Sequence, residues 1–264
     1  MAIVRRNYGK GHSYTVEGVK YDGVTTLIKG GLPKPALMYW SARTVAEYVA
    51  DNLDQVAGMG VMGRASIVAA LKEVPWTARD TAAAKGTEVH RLAENLAAGQ
   101  EVEVPEAIAG YVESCVRFLD DYQVDPIVVE ATVASRRWKY AGTADLFAEV
   151  TLPGGETVKA VLDYKTGASG IWPDVALQLA AYRNADVYLD PGGVEREIAP
   201  IGLSETAYAV WLRADGYDVY PVNAGPEVHN VFNHLSYVAR RTDEKKGQIK
   251  SWLGEALQRE EATA

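Results

Sequence analysis

The sequence predicts an α/β core, and three observations lead there. β-branched and aromatic residues crowd into three successive runs at 127–134, 138–150 and 157–164, with Pro153-Gly154-Gly155 as the turn between the last two. Helical signals flank these runs: Pro105 opens a helix before them and Pro173 opens one after. Two further β-like runs, 207–213 and 217–222, turn about Asp215-Gly216. The order helix, three strands, helix, strand describes an α/β core rather than a barrel or a bundle.

In chain order, residues 12–21 alternate polar and β-forming side chains about Glu17-Gly18 and predict a hairpin. Leu37, Trp40, Val45 and Tyr48 recur at mixed three- and four-residue spacing, so 36–52 reads as a helix. The glycine-rich stretch 58–63 then reads as a flexible connection before a helical segment at 65–72. Asp80 is placed to cap a helix that runs to about residue 98 and closes at Gly99. The Pro105 helix reaches about residue 122, the Pro173 helix about residue 188, and a long helix is expected from Pro226 to about residue 258. Residues 260–264 are expected to fray.

A chain of 264 residues, 48% hydrophobic, is long enough to bury a sizeable core. The expected division is an extension at 1–79 packed on a core at 80–225, with a C-terminal helix and tail at 226–264. No run approaches the roughly 20 consecutive apolar residues of a membrane span. The start Met1-Ala2-Ile3-Val4-Arg5-Arg6 lacks the apolar centre of a signal peptide, so a cytoplasmic protein is expected. The single Cys115 excludes an internal disulfide and any cysteine-only zinc or iron–sulfur site within one chain, and its expected role is helix packing. The net charge of −8 argues against polyanion binding by the whole surface. A local basic track would still suffice for it.

The residues that could carry chemistry begin with Asp163-Tyr164-Lys165, at the end of the apolar run 158–162. A strand projects Asp163 and Lys165 onto one face, placing a carboxylate beside an ammonium. Asp145, after the small residues Gly142-Thr143-Ala144, offers a second acid on a neighbouring strand. Two such acids suit a hard cation and phosphodiester chemistry. His90 in Gly86-Thr87-Glu88-Val89-His90 shares a helix face with Glu94 at i+4, and imidazole suits manganese and other transition metals. Gln178 and Tyr182, also at i, i+4, face one way from the helix after Asp163. Each piece alone is a common pattern of packed or solvated side chains; their joint order carries the signal.

Together they resemble the RecB-like nucleases of the PD-(D/E)XK superfamily. That pattern runs Gly-Thr-X-X-His, Gly-Thr-X-Asp, Asp-Tyr-Lys-Thr and Gln-X-X-X-Tyr, and the chain has Gly86 to His90, Gly142 to Asp145, Asp163 to Thr166 and Gln178 to Tyr182. The resemblance covers roughly residues 80–215. The segment 21–28 and the helix with Trp40 also look like phage-type exonucleases of this group. The resemblance implies a restriction-endonuclease-like core, a central mixed β-sheet flanked by helices. It implies His90, Asp145, Asp163 and the main-chain carbonyl of Tyr164 as ligands of one or two Mg2+ or Mn2+ ions, with Lys165 as the catalytic lysine. Glu130 matches a position where the family often has an acid. Some relatives hold an iron–sulfur cluster with four cysteines; with one cysteine this chain is expected to have no cluster.

DNA is the implied substrate, with Arg136 and Arg137 as the favoured phosphate contacts and Gln178 and Tyr182 as further substrate contacts. Arg43 and the group Arg240, Arg241, Lys245 and Lys246 are weaker candidates, since a solvated charged face explains them as well. Three functions stay open: a metal-dependent exonuclease serving recombination, repair or phage replication, an endonuclease on the same core, and a non-cutting subunit that binds DNA or a recombinase. A single-strand annealing or recombinase partner and an oligomer are compatible with all three, and a membrane is expected with none.

Overall fold

The computed structural model describes residues 3–8, 11–243 and 248–256. Among these residues it is an α/β protein built on a mixed sheet of ten strands flanked by helices. Strands β1 (Ile3–Tyr8), β2 (Gly11–Val16) and β3 (Val19–Gly23) form an antiparallel meander. Glu17 and Gly18 join β2 to β3 with φ of 52° and 78°. Positive φ at both central residues is what a two-residue hairpin loop of matching twist requires.

The helices α1 (Val24–Gly31), α2 (Pro35–Asp51) and α3 (Leu53–Gly58) follow. The expected helix at 36–52 forms but buries none of its side chains, and Leu37 and Trp40 are exposed. The 58–63 connection is a turn of 3-10 helix ending at Gly63, whose φ of 87° only glycine adopts readily. The helix expected to begin at Asp80 begins at Arg64 instead: α4 (Arg64–Ala97) runs unbroken for 34 residues with Pro75 inside it. Asp80 therefore lies in mid-helix, where it pairs with Arg79.

Next come α5 (Ala109–Asp121) and the expected meander β4 (Asp125–Ser135), β5 (Tyr140–Thr151) and β6 (Thr157–Lys165). The Pro173 helix is shorter than expected, since α6 (Val175–Arg183) gives way to the small strands β7 (Val187–Leu189) and β8 (Glu195–Glu197). β9 (Thr206–Leu212) and β10 (Tyr217–Asn223) form the expected hairpin. α7 (Pro226–Thr242) ends well before residue 258 and is followed by a 3-10 turn at Ile249–Trp252. Lys245, Lys246 and the expected fraying end lie outside the described residues. Among the described residues, no helix is long and apolar enough to cross a membrane.

The sheet separates two large cores, and a third, smaller one joins Ile3, Tyr14, Val16 and Tyr21 of the N-terminal meander to Ala134, Ala141 and Val187. Val161 of β6 packs with Val24 and Leu27 of α1, Leu179 of α6 and Phe232 of α7. Leu162 and Tyr164 pack on the other side with Val89 and Leu92 of α4 and Cys115 and Phe118 of α5. Cys115 is thus a core residue, and burial pushes its thiol up to about 12.

The centre of the sheet splits. One edge of β5 pairs with β3 at Tyr140 and Ala141, and with β6 only from Leu146 to Thr151. Beyond Leu162, β6 leaves β5 and follows β9 in parallel from Asp163 to Lys165. Residues 142–145 of β5 and 163–165 of β6 therefore diverge, and a cleft opens where their backbones part. On the other edge of β5, the β4 register pairs Val129 with Leu146 and Ala131 with Ala144 and skips Glu130 and Asp145. Residues two apart on a regular strand share a face. Here Ala144 and Leu146 lie in opposite cores, as do Ala131 and Val129. Glu130, with φ of 50°, sits at that irregularity.

Candidate active site

Five segments deliver side chains to this cleft, which has a volume of about 710 Å³: the β1–β2 hairpin, the start of α1, the C-terminal half of α4, the β4–β5 irregularity and α6; Asp163 and Lys165 are not among its lining residues and connect to it through Gln178. Two glycines explain how closely the segments approach. A Cβ on Gly142 would lie 2.5 Å from a ring carbon of Tyr182, so the space left by glycine is occupied by that ring. A Cβ on Gly86 would lie 3.0 Å from the Thr166 hydroxyl, so Gly86 lets α4 pack against the end of β6.

Asp163 is buried, its side chain 1% exposed, and its Oδ2 is ion-paired to Lys165 Nζ. Gln178 Nε2 donates to Asp163 Oδ1 at 2.9 Å and to the Tyr182 hydroxyl at 3.3 Å, while Lys165 Nζ donates to Gln178 Oε1 at 3.5 Å. Gln178 thereby fixes acid and lysine together, and its i, i+4 relation to Tyr182 is the expected one. Burial alone would lower the pKa of Lys165. The Asp163 and Asp145 carboxylates outweigh burial and raise it, so the ammonium stays protonated.

Asp145 accepts the Tyr164 N–H at 2.8 Å, a bond that bridges the split between β5 and β6. Its other neighbour is His90 Nδ1 at 3.4 Å. Burial and then the nearby Asp163 raise the Asp145 pKa, opposed by His90, Lys165 and the Tyr164 N–H. His90, Glu94 and Asp145 each offer a ligand atom within 4.8 Å of the others. Glu94 is pushed up to about 8 by burial, then by the charges of Glu130 and Asp145, and it hydrogen-bonds Glu130. Tyr164 buries its ring between Phe118 at 6.2 Å and His90 at 6.3 Å, and it meets the site through its N–H to Asp145.

Two of the expected ligands, His90 and Asp145, come together in a group of side chains that could hold a cation. Glu94 completes the trio with His90 and Asp145, whereas the Asp163 oxygens are engaged by Lys165 and Gln178. An imidazole and two carboxylates are donors suited to Mn2+, and the carboxylates to Mg2+. The raised Glu94 pKa fits such a role, because like charges crowded in a partly buried site favour a counter-cation.

The reading of the sequence missed the N-terminal wall. Arg5, Asn7, His12 and Tyr14 all line the cleft, with Tyr14 hydrogen-bonded to Thr143 at 2.9 Å and Arg5 Nη1 to Glu130 at 3.3 Å. Burial, then the Arg5 charge, lowers the His12 pKa. The signal was the alternation Arg5, Asn7 before His12, Tyr14 with the glycine turn signal Gly9-Lys10-Gly11 between them, which the reading of the sequence did not use.

The expected basic contacts are placed elsewhere. Arg136 and Arg137 lie on the β4–β5 turn and do not line the cleft; Arg136 is held by both Glu195 oxygens at 2.8 Å, and Arg137 lies over the Trp138 ring. Arg43 pairs with Glu47 on α2 at 2.6 Å, outside the cleft. Arg240 joins α7 to Asp22 and to the carbonyls of Trp138 and Lys139, which gives it a structural explanation. No family model fits the chain, and no curated protein aligns with it significantly.

Proposed function

We propose that this chain is a divalent-metal-dependent DNA nuclease with a PD-(D/E)XK core, acting as an exonuclease. One observation carries the reading: His90, Glu94, Asp145, Asp163, Lys165 and Gln178, from α4, the two diverging strands and α6, meet around one strand split. The conjunction of acids, imidazole and a buried-edge lysine gives the sequence resemblance its chemical content.

His90, Glu94 and Asp145 would hold the cation, which when bound supplies Lewis-acid chemistry toward a phosphodiester. The other groups act by placement. Lys165, kept as the ammonium by its two carboxylate neighbours, is an electrostatic partner for charge developing on a phosphate oxygen rather than a proton acceptor. Asp163 and Gln178 hold the lysine against rotation. The Tyr164 N–H orients Asp145, so the position of the acid is tied to the backbone of the strand that carries Lys165.

The test is cleavage of linear duplex, single-stranded and covalently closed circular DNA, end-labelled at 5′ or 3′, with Mg2+ or Mn2+ and with EDTA. Metal-dependent shortening of linear DNA, abolished by Lys165→Met and Asp145→Asn, is expected. Cleavage of the closed circle would identify an endonuclease. Binding without cleavage under every condition would identify a DNA-holding subunit and refute the proposal.

A further inference from the structure

The cleft has two walls of opposite character. Glu94, Glu130 and Asp145 with His90 form the acidic one, where the lining cation Arg91 is ion-paired to Glu88 at 2.7 Å, while the β1–β2 hairpin presents hydrogen-bond donors. The hairpin register sets Arg5 opposite Tyr14 and Asn7 opposite His12. Residues two apart on a strand share a face with their cross-strand partners, so these four side chains form one surface. All four line the cleft. Arg6, between Arg5 and Asn7, belongs to the opposite face of the strand and is exposed.

Resting on the nuclease reading, we propose that this hairpin face is the phosphate-holding wall of the cleft, with Arg5, Asn7 and His12 receiving a non-scissile phosphate of the substrate strand. Arg5 contributes a planar fork of donors that matches phosphate oxygens. Its Nη1 contacts Glu130 at 3.3 Å, yet its Nε is buried without a hydrogen-bond partner. A buried donor without an acceptor is unfavourable, so Glu130 leaves the guanidinium unsaturated, and a shift of the side chain that turns Nε into the cleft would let a phosphate oxygen accept from it. Asn7 adds amide donors and His12 an imidazole whose ring packs edge-on to Tyr14 at 5.1 Å. The need for such a wall follows from charge. A chain of net −8 with carboxylates in the cleft repels a polyanion, so the substrate must be held by donors concentrated beside the acids.

The test is fluorescence anisotropy of labelled DNA oligonucleotides in EDTA, so that binding is read without turnover, over a range of salt. Arg5→Gln is expected to weaken binding on the order of tenfold and to flatten the salt dependence by about one phosphate contact. Asn7→Ala and His12→Gln should weaken binding in the same direction by less, and Arg6→Gln should leave it unchanged. With metal present, Arg5→Gln should raise KM and leave kcat near the wild-type value. Oligonucleotides ending in 5′-phosphate, 3′-phosphate or hydroxyl distinguish the source of the phosphate. An equal loss for all ends assigns an internal diester, and a loss confined to one phosphorylated end assigns a terminal monoester. Circular dichroism checks folding, and the Asn7 and His12 variants carry the test if Arg5→Gln unfolds. Wild-type binding with Arg5→Gln and His12→Gln both indistinguishable from Arg6→Gln overturns the inference alone. A wild-type protein that neither binds nor cuts DNA overturns the nuclease reading with it.

Discussion

Lys165 and Asp163 are held so closely that altering one strands the other. Asp163 is 1% exposed and Lys165 32%, so Lys165→Met leaves a buried carboxylate unpaired. That should cost about 2 kcal/mol, a value discounted for the partial exposure of the lysine. Cleavage should fall by about 10² or more, the scale of losing an electrostatic contact to a transition state. The double variant Asp163→Asn with Lys165→Met should recover the melting temperature but not activity, and thermal melts beside a cleavage assay check both. Glu94 makes a different prediction. Its pKa rises from 4.5 to about 8 on folding, so between these values the folded state holds a proton that the unfolded state has lost. Metal-free stability should therefore decline as pH rises through that window. Glu94→Gln should flatten the decline; melting curves from pH 5 to pH 8, showing an equal slope in the variant, would contradict it.

The strands and helices place the chemistry through close approaches that few substitutions tolerate. Gly142→Ala would set a Cβ 2.5 Å from the Tyr182 ring, and the expected cost is about 1–3 kcal/mol, read by urea unfolding. Adding Tyr182→Leu should recover part of it by vacating the space. The meander β4–β6 and the β9–β10 hairpin were legible because apolar periodicity and the Pro153-Gly154-Gly155 and Asp215-Gly216 turns are local signals. Helix lengths were not. Asp80 looked like a cap because capping chemistry is local, but the preceding Ala-rich turns continue the helix back to Arg64. The Pro173 helix stops at Arg183 because Val187 of the following segment pairs with Ala134 of β4, a contact between residues far apart in sequence.

For the molecule as a whole, the net charge of −8 and the crowded acids of the cleft set how the protein meets ions. A divalent cation that binds only the folded state should stabilise it by about 2.7 kcal/mol at a hundred times its Kd. The melting temperature should therefore rise with Mn2+, more at pH 8 than at pH 5, and Asp145→Ala should abolish the rise. No shift with Mg2+ or Mn2+ in the unaltered protein would remove the cation from the site. The sequence by itself determined the α/β order of elements, the pairing of Asp163 with Lys165, of His90 with Glu94 and of Gln178 with Tyr182, because strand and helix periodicity project i, i+2 and i, i+4 side chains together. Tertiary structure alone decided that Glu94 joins His90 and Asp145, that the oxygens of Asp163 turn to Lys165 and Gln178, and that Arg5, Asn7 and His12 face the acids. Those placements depend on where β6 leaves β5 and where the N-terminal hairpin docks. Both are set by pairing between distant strands, on which no local periodicity reports.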